Sequence, residues 1–509
     1  MKKEKKDAQG SKFLRRIEKI GNAMPHPFMI FIIMSIAIMV ISYFLQGTSV
    51  DFVNGRTGEK EVVEVVTLLN KDGINWMLNN MVDNFVSFAP LGVVLVAMLG
   101  VSISEWSGLI ETALKKLLLG ANPKILTPII IFSGVMANVA GDVGYIVVIP
   151  LGALLFAEAG RNPIAGLAAA FAGVSAGFSA NLLFGATDAQ LSAITQTAAD
   201  AVGLDVSITA TSNWYFMAAS AFMIVIIGTL ITEKITVPTL GKYTGDFVVE
   251  KSEVTPLQSK GLRNAGIALL LIIIVIAICV IPENALFKTL DDNGDLSLKA
   301  FLSQGIIGII FFVFLIPSIV YGITTKKIKT TKDMAEGFTE GMKSMGGFIF
   351  LAFFAAQFVK YFEYTHIATI ISVKGAHFLE SVGFTGIPLI IAFIILSSFL
   401  NLFLGSASAK WAIMAPIFIP MLFGVGLSPS LAQAAYRIGD SSTNIITPLM
   451  NYFAMIVVFA QKYDKKSGVG TIISTMLPYS FILLISWIIL LIIFYVFNIP
   501  LGPGTFIQV

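Results

Sequence analysis

The ten residues GDSSTNIITP at 439–448 combine one carboxylate with several hydroxyls and an amide. Oxygen ligands of this kind suit a small hard cation or a polar solute. Gly439 and Pro448 bracket the segment, and a helix broken between them would free backbone carbonyls that add further oxygens. The segment therefore predicts a binding point for a cation or a polar solute. The side chains that would supply the oxygens are Asp440, Ser441, Ser442, Thr443 and Asn444.

Asp440 is unusual because apolar residues that could lie in lipid flank its segment on both sides. A carboxylate at that depth costs about 3 kcal/mol on insertion scales, so it usually has a function. Two interpretations stay open. Asp440 binds a coupling cation, or it only neutralises Arg437, which lies one helical turn earlier on the same face. In the second case the neighbouring hydroxyls would simply bond back to their own helix.

The composition indicates a membrane protein. The chain has 509 residues, of which 56% are hydrophobic and only 13% are charged, whereas about a quarter of a soluble domain is charged. Uncharged runs such as those at 265–282 and 485–500 approach the roughly 20 residues that span a bilayer as a helix. We therefore expect an all-α polytopic membrane protein. Its expected partners are the lipid bilayer and a small-molecule substrate, with no nucleic acid.

The distribution of lysine and arginine predicts the topology, because positive residues stay on the side that is not translocated. The basic tail 1–26 is expected in the cytoplasm, followed by crossings at about 27–46 and 84–104. Residues 125–160 begin and end beside positive charge and are too long for one crossing, so they predict a re-entrant hairpin from the inside. Residues 385–427 predict a second hairpin from the outside. About nine transmembrane helices and two re-entrant hairpins result.

An internal repeat supports this topology. Pro150 and Pro416, Pro163 and Pro429, Gly173 and Gly439, and Ser175 and Ser441 are each 266 positions apart. Each unit would be a hairpin followed by an interrupted crossing, and the two units start on opposite sides. Such an inverted repeat places a transporter's binding site where the broken helices meet. Chance matching of small residues in apolar sequence is the alternative interpretation.

These observations divide the chain into six segments. They are a cytoplasmic tail (1–26), two crossings with an inner-surface helix (27–124), the first repeat (125–233), loops and scaffold helices (234–344), the second repeat (345–460), and a last helix with the C-terminus (461–509).

Three stretches resemble the p-aminobenzoyl-glutamate transporter (AbgT) family: MPHPFMIF at 24–31, NLFLGSASAKWAIMAPIFIPM at 401–421 and YRIGDSSTNIITPLMNYF at 436–453. The resemblance runs through nearly the whole chain. It implies a homodimer in the bacterial inner membrane that transports p-aminobenzoyl-glutamate, a folate catabolite, and in some members exports sulfonamide drugs. Relatives in the same superfamily couple transport to Na+ or H+, so one of these is the expected coupling ion, and no other cofactor is expected.

The resemblance, together with the chemistry of the motif, assigns roles to individual residues. Arg437 would hold a substrate carboxylate bidentately, and Trp411 would stack on the aminobenzoyl ring. The expected substrate-binding residues are Asp188, Ser408, Trp411, Pro429, Arg437, Asn444 and Pro448. The expected cation-binding residues are Asn401, Asp440, Ser441 and Thr443, with a possible Na+ at Asn401 and Asp440.

Several alternatives to these roles stay open. Trp411 could be a packing anchor, Pro429 and Pro448 could only shape the backbone, and Asp188 could lie at the outer surface. Gly173–Gly177 fits the G-x-S-x-G pattern of serine hydrolases, but without a strand context or a nearby base we expect no enzyme. A channel is a second rival. A cation-coupled dicarboxylate carrier or a cation antiporter of the same superfamily is a third.

Overall fold

The computed structural model describes residues 27–53, 60–120, 122, 125–140, 144–243, 253–290, 296–298, 301, 305–450 and 452–508. The expected cytoplasmic tail 1–26 lies outside the described residues, as do residues 141–143 within the expected first hairpin (125–160). Nearly all of the regular structure is helical, as expected. The exceptions are two short hairpins, β1 (Ser49–Val53) with β2 (Lys60–Glu64) and β3 (Thr289–Leu290) with β4 (Leu296–Ser297).

The chain begins with helices that precede the first repeat. They are α1 (Pro27–Leu45), α2 (Lys71–Val86) and α3 (Ala89–Ser107). The helical segment begins at Lys71, earlier than the expected start at 84, because Asn70 caps it: its side chain accepts from the Gly73 amide at 2.7 Å. The loop expected to reach about residue 80 is therefore shorter than predicted. It carries the β1–β2 hairpin, which is antiparallel.

The first repeat follows in a fixed order of elements. A short helix, a hairpin of two helices, an interrupted helix and a long helix succeed one another. They are α4 (Leu109–Leu119), α5 (Leu126–Ala137), α6 (Ile149–Glu158), α7 (Pro163–Phe171), α8 (Ala186–Asp200), α9 (Trp214–Ile231) and α10 (Val237–Leu240). A π-helical turn at Gly144–Val148 leads into α6, and another at Ala172–Ala176 extends α7 to the break before α8.

Four helices separate the repeats, and the same order of elements then returns. The separating helices are α11 (Pro256–Val280), α12 (Ile306–Thr324), α13 (Thr331–Ser344) and α14 (Gly346–Tyr364). The order returns in α15 (Ile367–Ser381), the hairpin α16 (Gly386–Asn401) and α17 (Ala407–Phe423), the interrupted pair α18 (Pro429–Asn444) and α19 (Phe453–Gln461), and α20 (Val469–Val496). By this order of elements the second repeat begins after the expected start at 345 and extends beyond the expected end at 460.

Equivalent glycines show that the repeat is structural and does not arise from chance composition. A Cβ on Gly173 would lie 2.4 Å from the carbonyl oxygen of Ile131 in the first hairpin. A Cβ on Gly439 would lie 2.7 Å from the carbonyl oxygen of Ile394 in the second. In both repeats the interrupted helix therefore packs against its hairpin by direct backbone approach, which only glycine permits.

The expected number of crossings agrees with the helices found. Within the described residues, seven helical segments are long and apolar enough to cross a membrane. The interrupted pairs α7–α8 and α18–α19 supply two further crossings whose halves are each too short alone. The two breaks lie at 177–185 and 445–452, and the residues with the most chemistry lie beside them.

Candidate functional site

α18 is a polar helix in the centre of a membrane protein. All of its residues, Pro429–Asn444, are buried. It begins at a Ser428 cap, whose side chain accepts from the Leu431 amide at 3.2 Å, and it ends at the break after Asn444. α16, α17, α20 and the first repeat surround it. A buried polar helix must find partners for its side chains within the protein, and those partners define the candidate site.

Arg437 pairs with Asp188, which lies in the other repeat. Its Nη2 donates to Asp188 Oδ1, and the two side chains are 2% and 7% exposed. The second oxygen of Asp188 accepts from the Gly185 amide at 2.8 Å, which fixes the carboxylate at the start of α8 just after the first break. Asp188 is therefore buried, and the alternative that placed it at the outer surface is wrong.

Asp440 pairs with Lys410 from the second hairpin. Lys410 Nζ donates to Asp440 Oδ1 at 2.6 Å, and the two side chains are 0% and 2% exposed. The same ammonium also donates to Asn401 Oδ1. Each acid of the site thus has a cation from elsewhere in the fold. The alternative in which Arg437 and Asp440 neutralise each other along one helix face is wrong.

Asn401 ties the second hairpin to the last turn of α18. Its amide nitrogen donates to the Asp440 carbonyl at 2.6 Å, to Thr443 Oγ1 at 2.9 Å and to Asn444 Oδ1 at 2.8 Å. Since its oxygen accepts from Lys410, both ends of the carboxamide are engaged. The structure therefore brings Asn401, Asp440, Thr443 and Asn444 together, as the motif predicts. It adds an ammonium where a sodium ion was expected.

The hydroxyls next to Asp440 make structural hydrogen bonds. Ser441 Oγ accepts from the Ser179 amide at 3.1 Å, which joins the first break to α18. Thr443 Oγ1 donates back to the Gly439 carbonyl at 2.8 Å. Both hydroxyls lie beside the Lys410–Asp440 pair, and both already have partners in this conformation.

An aromatic pair lies next to the Lys410–Asp440 pair. The rings of Trp411 and Tyr436 stack with centroids 4.5 Å apart and planes 26° from parallel. Trp411 Nε1 donates to Thr195 Oγ1 at 2.9 Å, and Tyr436 Oη donates to the Ala407 carbonyl at 2.5 Å. Lys410 Nζ lies 5.6 Å from the centroid of the Tyr436 ring, so the stack adjoins the Lys410–Asp440 pair. Trp411 is both a packing anchor and part of the site.

Two charged groups retain unused hydrogen-bonding capacity. Among the described residues, Arg437 Nε and Asp440 Oδ2 are buried and have no hydrogen-bond partner. A buried polar atom without a partner costs about 1–3 kcal/mol, so such atoms usually mark a functional site or an absent ligand. Arg437 Nε can donate to an anion, and Asp440 Oδ2 can accept a proton or a cation. The site can therefore bind an anionic group and a positive charge together.

Three expected site residues lie at its margins. Pro429 begins α18, eight residues before Arg437, which is about 12 Å along a helix, and the structure does not bring it into the cluster. Pro448 is half-buried in the second break, next to Thr447, whose hydroxyl donates to the Leu402 carbonyl at 3.0 Å. Ser408 is half-buried in the first turn of α17, below the exposed hairpin tip at Gly405 and Ser406.

The sequence did not predict Lys410, Tyr436 and Thr195 as site residues. Lys410 had a clear signal, since it is a lysine inside an apolar hairpin, and ionisable residues at membrane depth are rare. Thr195 had none: its Oγ1 donates to Gln433 Oε1 at 2.6 Å, a contact between residues 238 positions apart. Gln433 in turn donates to Asn213 at 2.8 Å, so the polar network reaches both repeats.

Ser175 does not have the surroundings of a nucleophile. Its Oγ lies 3.2 Å from Met450 Sδ, within the π-helical turn that extends α7. A serine nucleophile needs a base within hydrogen-bond distance, and a thioether cannot remove a proton. The contact instead joins the end of α7 to the second break.

Comparison with solved structures places this geometry among transporters. The chain is 39% identical to the YdaH transporter of Alcanivorax borkumensis, with a TM-score of 0.87, covering 94% of this chain and 100% of that one. It is 44% identical to MtrF of Neisseria gonorrhoeae, with a TM-score of 0.90, covering 97% of this chain and 100% of that one. MtrF is described as illuminating a class of antimetabolite efflux pumps, and YdaH as having an unusual topology.

The relatives found by sequence are transporters as well. The p-aminobenzoyl-glutamate transport protein of Escherichia coli (strain K12) is 38% identical over 499 residues, which cover 98% of this chain and 97% of that protein. The profile of the AbgT putative transporter family matches residues 12–509. These relatives are transporters and not enzymes, so the chain is a small-molecule transporter of the membrane. The chain belongs to the AbgT transporter family.

Proposed function

We propose that this chain transports p-aminobenzoyl-glutamate across the membrane, coupled to a cation gradient. The observation that carries the proposal is the buried Nε of Arg437, which has no partner among the described residues. Arg437 is held in place because Nη2 donates to Asp188, so its remaining donors are oriented before a ligand arrives. A preorganised guanidinium of this kind suits a carboxylate, and the E. coli relative carries the name of this dicarboxylate.

The aromatic stack supports an aminobenzoyl ring at the same place. Trp411 and Tyr436 form a buried aromatic stack, and Lys410 Nζ lies 5.6 Å from the Tyr436 ring centroid. An added ring would extend the stack, and aromatic pairs contribute about 0.5–1.5 kcal/mol beyond the area they bury. Sulfonamide antimetabolites carry a similar aminophenyl ring, so their export is a second candidate function. The MtrF relationship favours it.

The coupling ion that the site suits best is a proton. Asn401 Oδ1 and Asp440 Oδ1 both accept from Lys410, and the hydroxyls of Ser441 and Thr443 have partners. A sodium ion needs several free oxygens at once, whereas a proton needs one. Asp440 Oδ2 is the one carboxylate oxygen among the buried oxygens that lack a partner in the described residues; the others, Ser133 Oγ, Asn138 Oδ1 and Ser179 Oγ, are neutral and lie in the first repeat. We therefore assign the coupling proton to Asp440.

The repeat suggests how access alternates. The second hairpin contacts its break through the Thr447–Leu402 hydrogen bond, and in the first repeat Asn138 Nδ2 donates to the Gly177 carbonyl at 3.2 Å. Movement of one hairpin at a time would open the site to one side and then to the other. The proposal includes a homodimer in the bacterial inner membrane with the N-terminus in the cytoplasm, as expected for the family.

Substrate competition tests this function. Purified protein would be reconstituted in liposomes, and counterflow of radiolabelled p-aminobenzoyl-glutamate would be measured with unlabelled p-aminobenzoyl-glutamate, a sulfonamide or succinate as competitor. We expect the first competitor to inhibit fully and succinate not to inhibit. Counterflow of radiolabelled succinate without any flux of p-aminobenzoyl-glutamate would identify a dicarboxylate carrier. A cation flux that needs no organic substrate would identify a cation antiporter.

A further inference from the structure

The site contains a second buried cation, Lys410, to which the proposed function assigns no role. Lys410 lies in α17 with its side chain fully buried and its ammonium on Asp440 Oδ1 and Asn401 Oδ1. Burying an ammonium in a membrane protein costs several kcal/mol even when it is paired. A structural pair alone would be replaced by apolar residues at little cost, because such replacements are often neutral or stabilising. The presence of both charges in this site points to a use for each.

We propose that Lys410 binds one of the two carboxylates of the substrate while Arg437 binds the other. This inference rests on the proposed function, and it extends it from one anion contact to two. The two carboxylates of p-aminobenzoyl-glutamate are joined by a three-carbon chain, so the site must present two cations near one another. Lys410 Nζ donates to Asp440 Oδ1, and Arg437 lies one helical turn before Asp440 on α18, so both cations lie at the same face of that helix.

The position of Lys410 makes it accessible when the hairpin opens. It lies one turn below the tip, where Gly405 and Ser406 are exposed and Ser408 is half-buried. Its ammonium also approaches the Leu404 carbonyl at the tip, at 3.5 Å. Displacement of the tip therefore uncovers Lys410 first, before the deeper Asp440. A substrate that enters past the second hairpin meets this cation on its way to the site.

Charge balance then links the substrate to the proton. In the conformation described, the pairs Lys410–Asp440 and Arg437–Asp188 leave the cluster neutral. If a substrate carboxylate takes Lys410, Asp440 loses its cation, and its buried charge is removed by a proton on Oδ2. At Lys410 one carboxylate replaces another and one proton enters from water, while the second substrate carboxylate shares Arg437 with Asp188, so the loaded cluster carries one net negative charge. Among the described residues, the other titratable groups near Lys410 are the Arg437–Asp188 pair and Tyr436, whose ring centroid lies 5.6 Å from Lys410 Nζ.

Equilibrium binding to purified protein in detergent tests the assignment. The ligands are p-aminobenzoyl-glutamate and its two monoamides, in each of which one carboxylate is a neutral carboxamide. The proteins are wild type, the paired variant Lys410→Met with Asp440→Leu, and a control, Lys343→Met with Glu340→Leu. The paired variant removes both charges and leaves none unpaired. The control removes an ion pair that is exposed on α13.

We expect wild type and the control to bind each monoamide about tenfold or more weakly than the diacid, since each loses a charged hydrogen bond. In the paired variant, one monoamide should bind less than about twofold more weakly than the diacid. The other monoamide should still bind about tenfold or more weakly than the diacid. Unchanged preferences in the paired variant would overturn the proposal and leave Lys410 as a partner of Asp440 alone. Failure of wild type to bind the diacid would instead reject the proposed function.

If the paired variant does not bind these ligands, proton uptake by wild type tests the proposal independently. Wild type in weakly buffered solution with a pH indicator should take up about one more proton with the diacid than with the monoamide that lacks the Lys410 contact, because only the diacid displaces Asp440. Equal uptake with the diacid and both monoamides would contradict the exchange at Lys410.

Discussion

Arg437 pairs with Asp188 across the two repeats, although Asp440 lies only one turn away on the same helix. Asp440 pairs in turn with Lys410, so four charged residues from three elements form two separate buried pairs. The first pair joins α8 to α18, and the second joins α17 to α18. α18 therefore cannot shift relative to either neighbour without separating charges in a low-dielectric interior.

The first prediction concerns the stability of the pair between the repeats. Arg437→Met should lower the free energy of unfolding by about 3–5 kcal/mol, because it leaves Asp188 charged, buried and without a cation. Asp188→Leu added to Arg437→Met should recover most of this loss. Thermal unfolding of the detergent-solubilised protein measures both changes.

The matched control for this pair is Arg437→Met with Asp440→Leu. It removes the same total charge but leaves Asp188 and Lys410 each unpaired, so it should be less stable than Arg437→Met alone. Greater stability of this control than of the Asp188→Leu combination would mean that Arg437 and Asp440 are partners after all.

The second prediction separates the two roles of Trp411. Trp411→Phe keeps a ring against Tyr436 but removes the hydrogen bond to Thr195, so stability should fall by about 1 kcal/mol. The affinity for p-aminobenzoyl-glutamate should change less than threefold.

Trp411→Ala should remove the stack and weaken binding about tenfold or more. Isothermal titration measures the affinities. Equal losses in the two variants would show that the ring itself does not contact the ligand.

The third prediction concerns the close packing of α18 on α16. Gly439→Ala would place a Cβ 2.6 Å from Ser397 Cβ and 2.7 Å from the Ile394 carbonyl oxygen. Backbone cannot move aside as a side chain can, so we expect a loss of at least about 1–3 kcal/mol in stability and a loss of transport. Gly308→Ala on α12 is the control, since nothing lies within 4 Å of its added Cβ. Wild-type stability in Gly439→Ala would contradict the direct backbone contact between α18 and α16.

The sequence predicted which residues lie together in the candidate site better than it predicted which charged residues pair there. Asp440 and Asn401 were predictable because polar residues beside a helix break in apolar sequence usually belong to a binding site. The partner of Arg437 was not predictable, because spacing along one helix indicates only which groups are near. Which pair forms depends on a contact between residues 249 positions apart, and only tertiary packing determines that.

The fold was also predictable from patterns in the sequence. Long apolar runs and the distribution of lysine and arginine determine crossings, and matched prolines and glycines determine the repeat. The start of α2 at Lys71 was missed because the polar residues at 71–83 lack the hydropathy of a crossing, while the Asn70 cap is a local hydrogen bond. Lys410 was overlooked because a single lysine at a hairpin tip looks like an interfacial residue until the fold buries it.

Flux driven by defined gradients tests the central claim most directly. Uptake of radiolabelled p-aminobenzoyl-glutamate into proteoliposomes would be measured with an imposed pH gradient, an imposed sodium gradient, and neither, for wild type and Asp440→Asn. We predict that wild type responds to the pH gradient and not to sodium, and that Asp440→Asn retains binding but loses the response. A flux that follows sodium alone, or a pH response that survives in Asp440→Asn, would contradict the assignment of the coupling proton to Asp440.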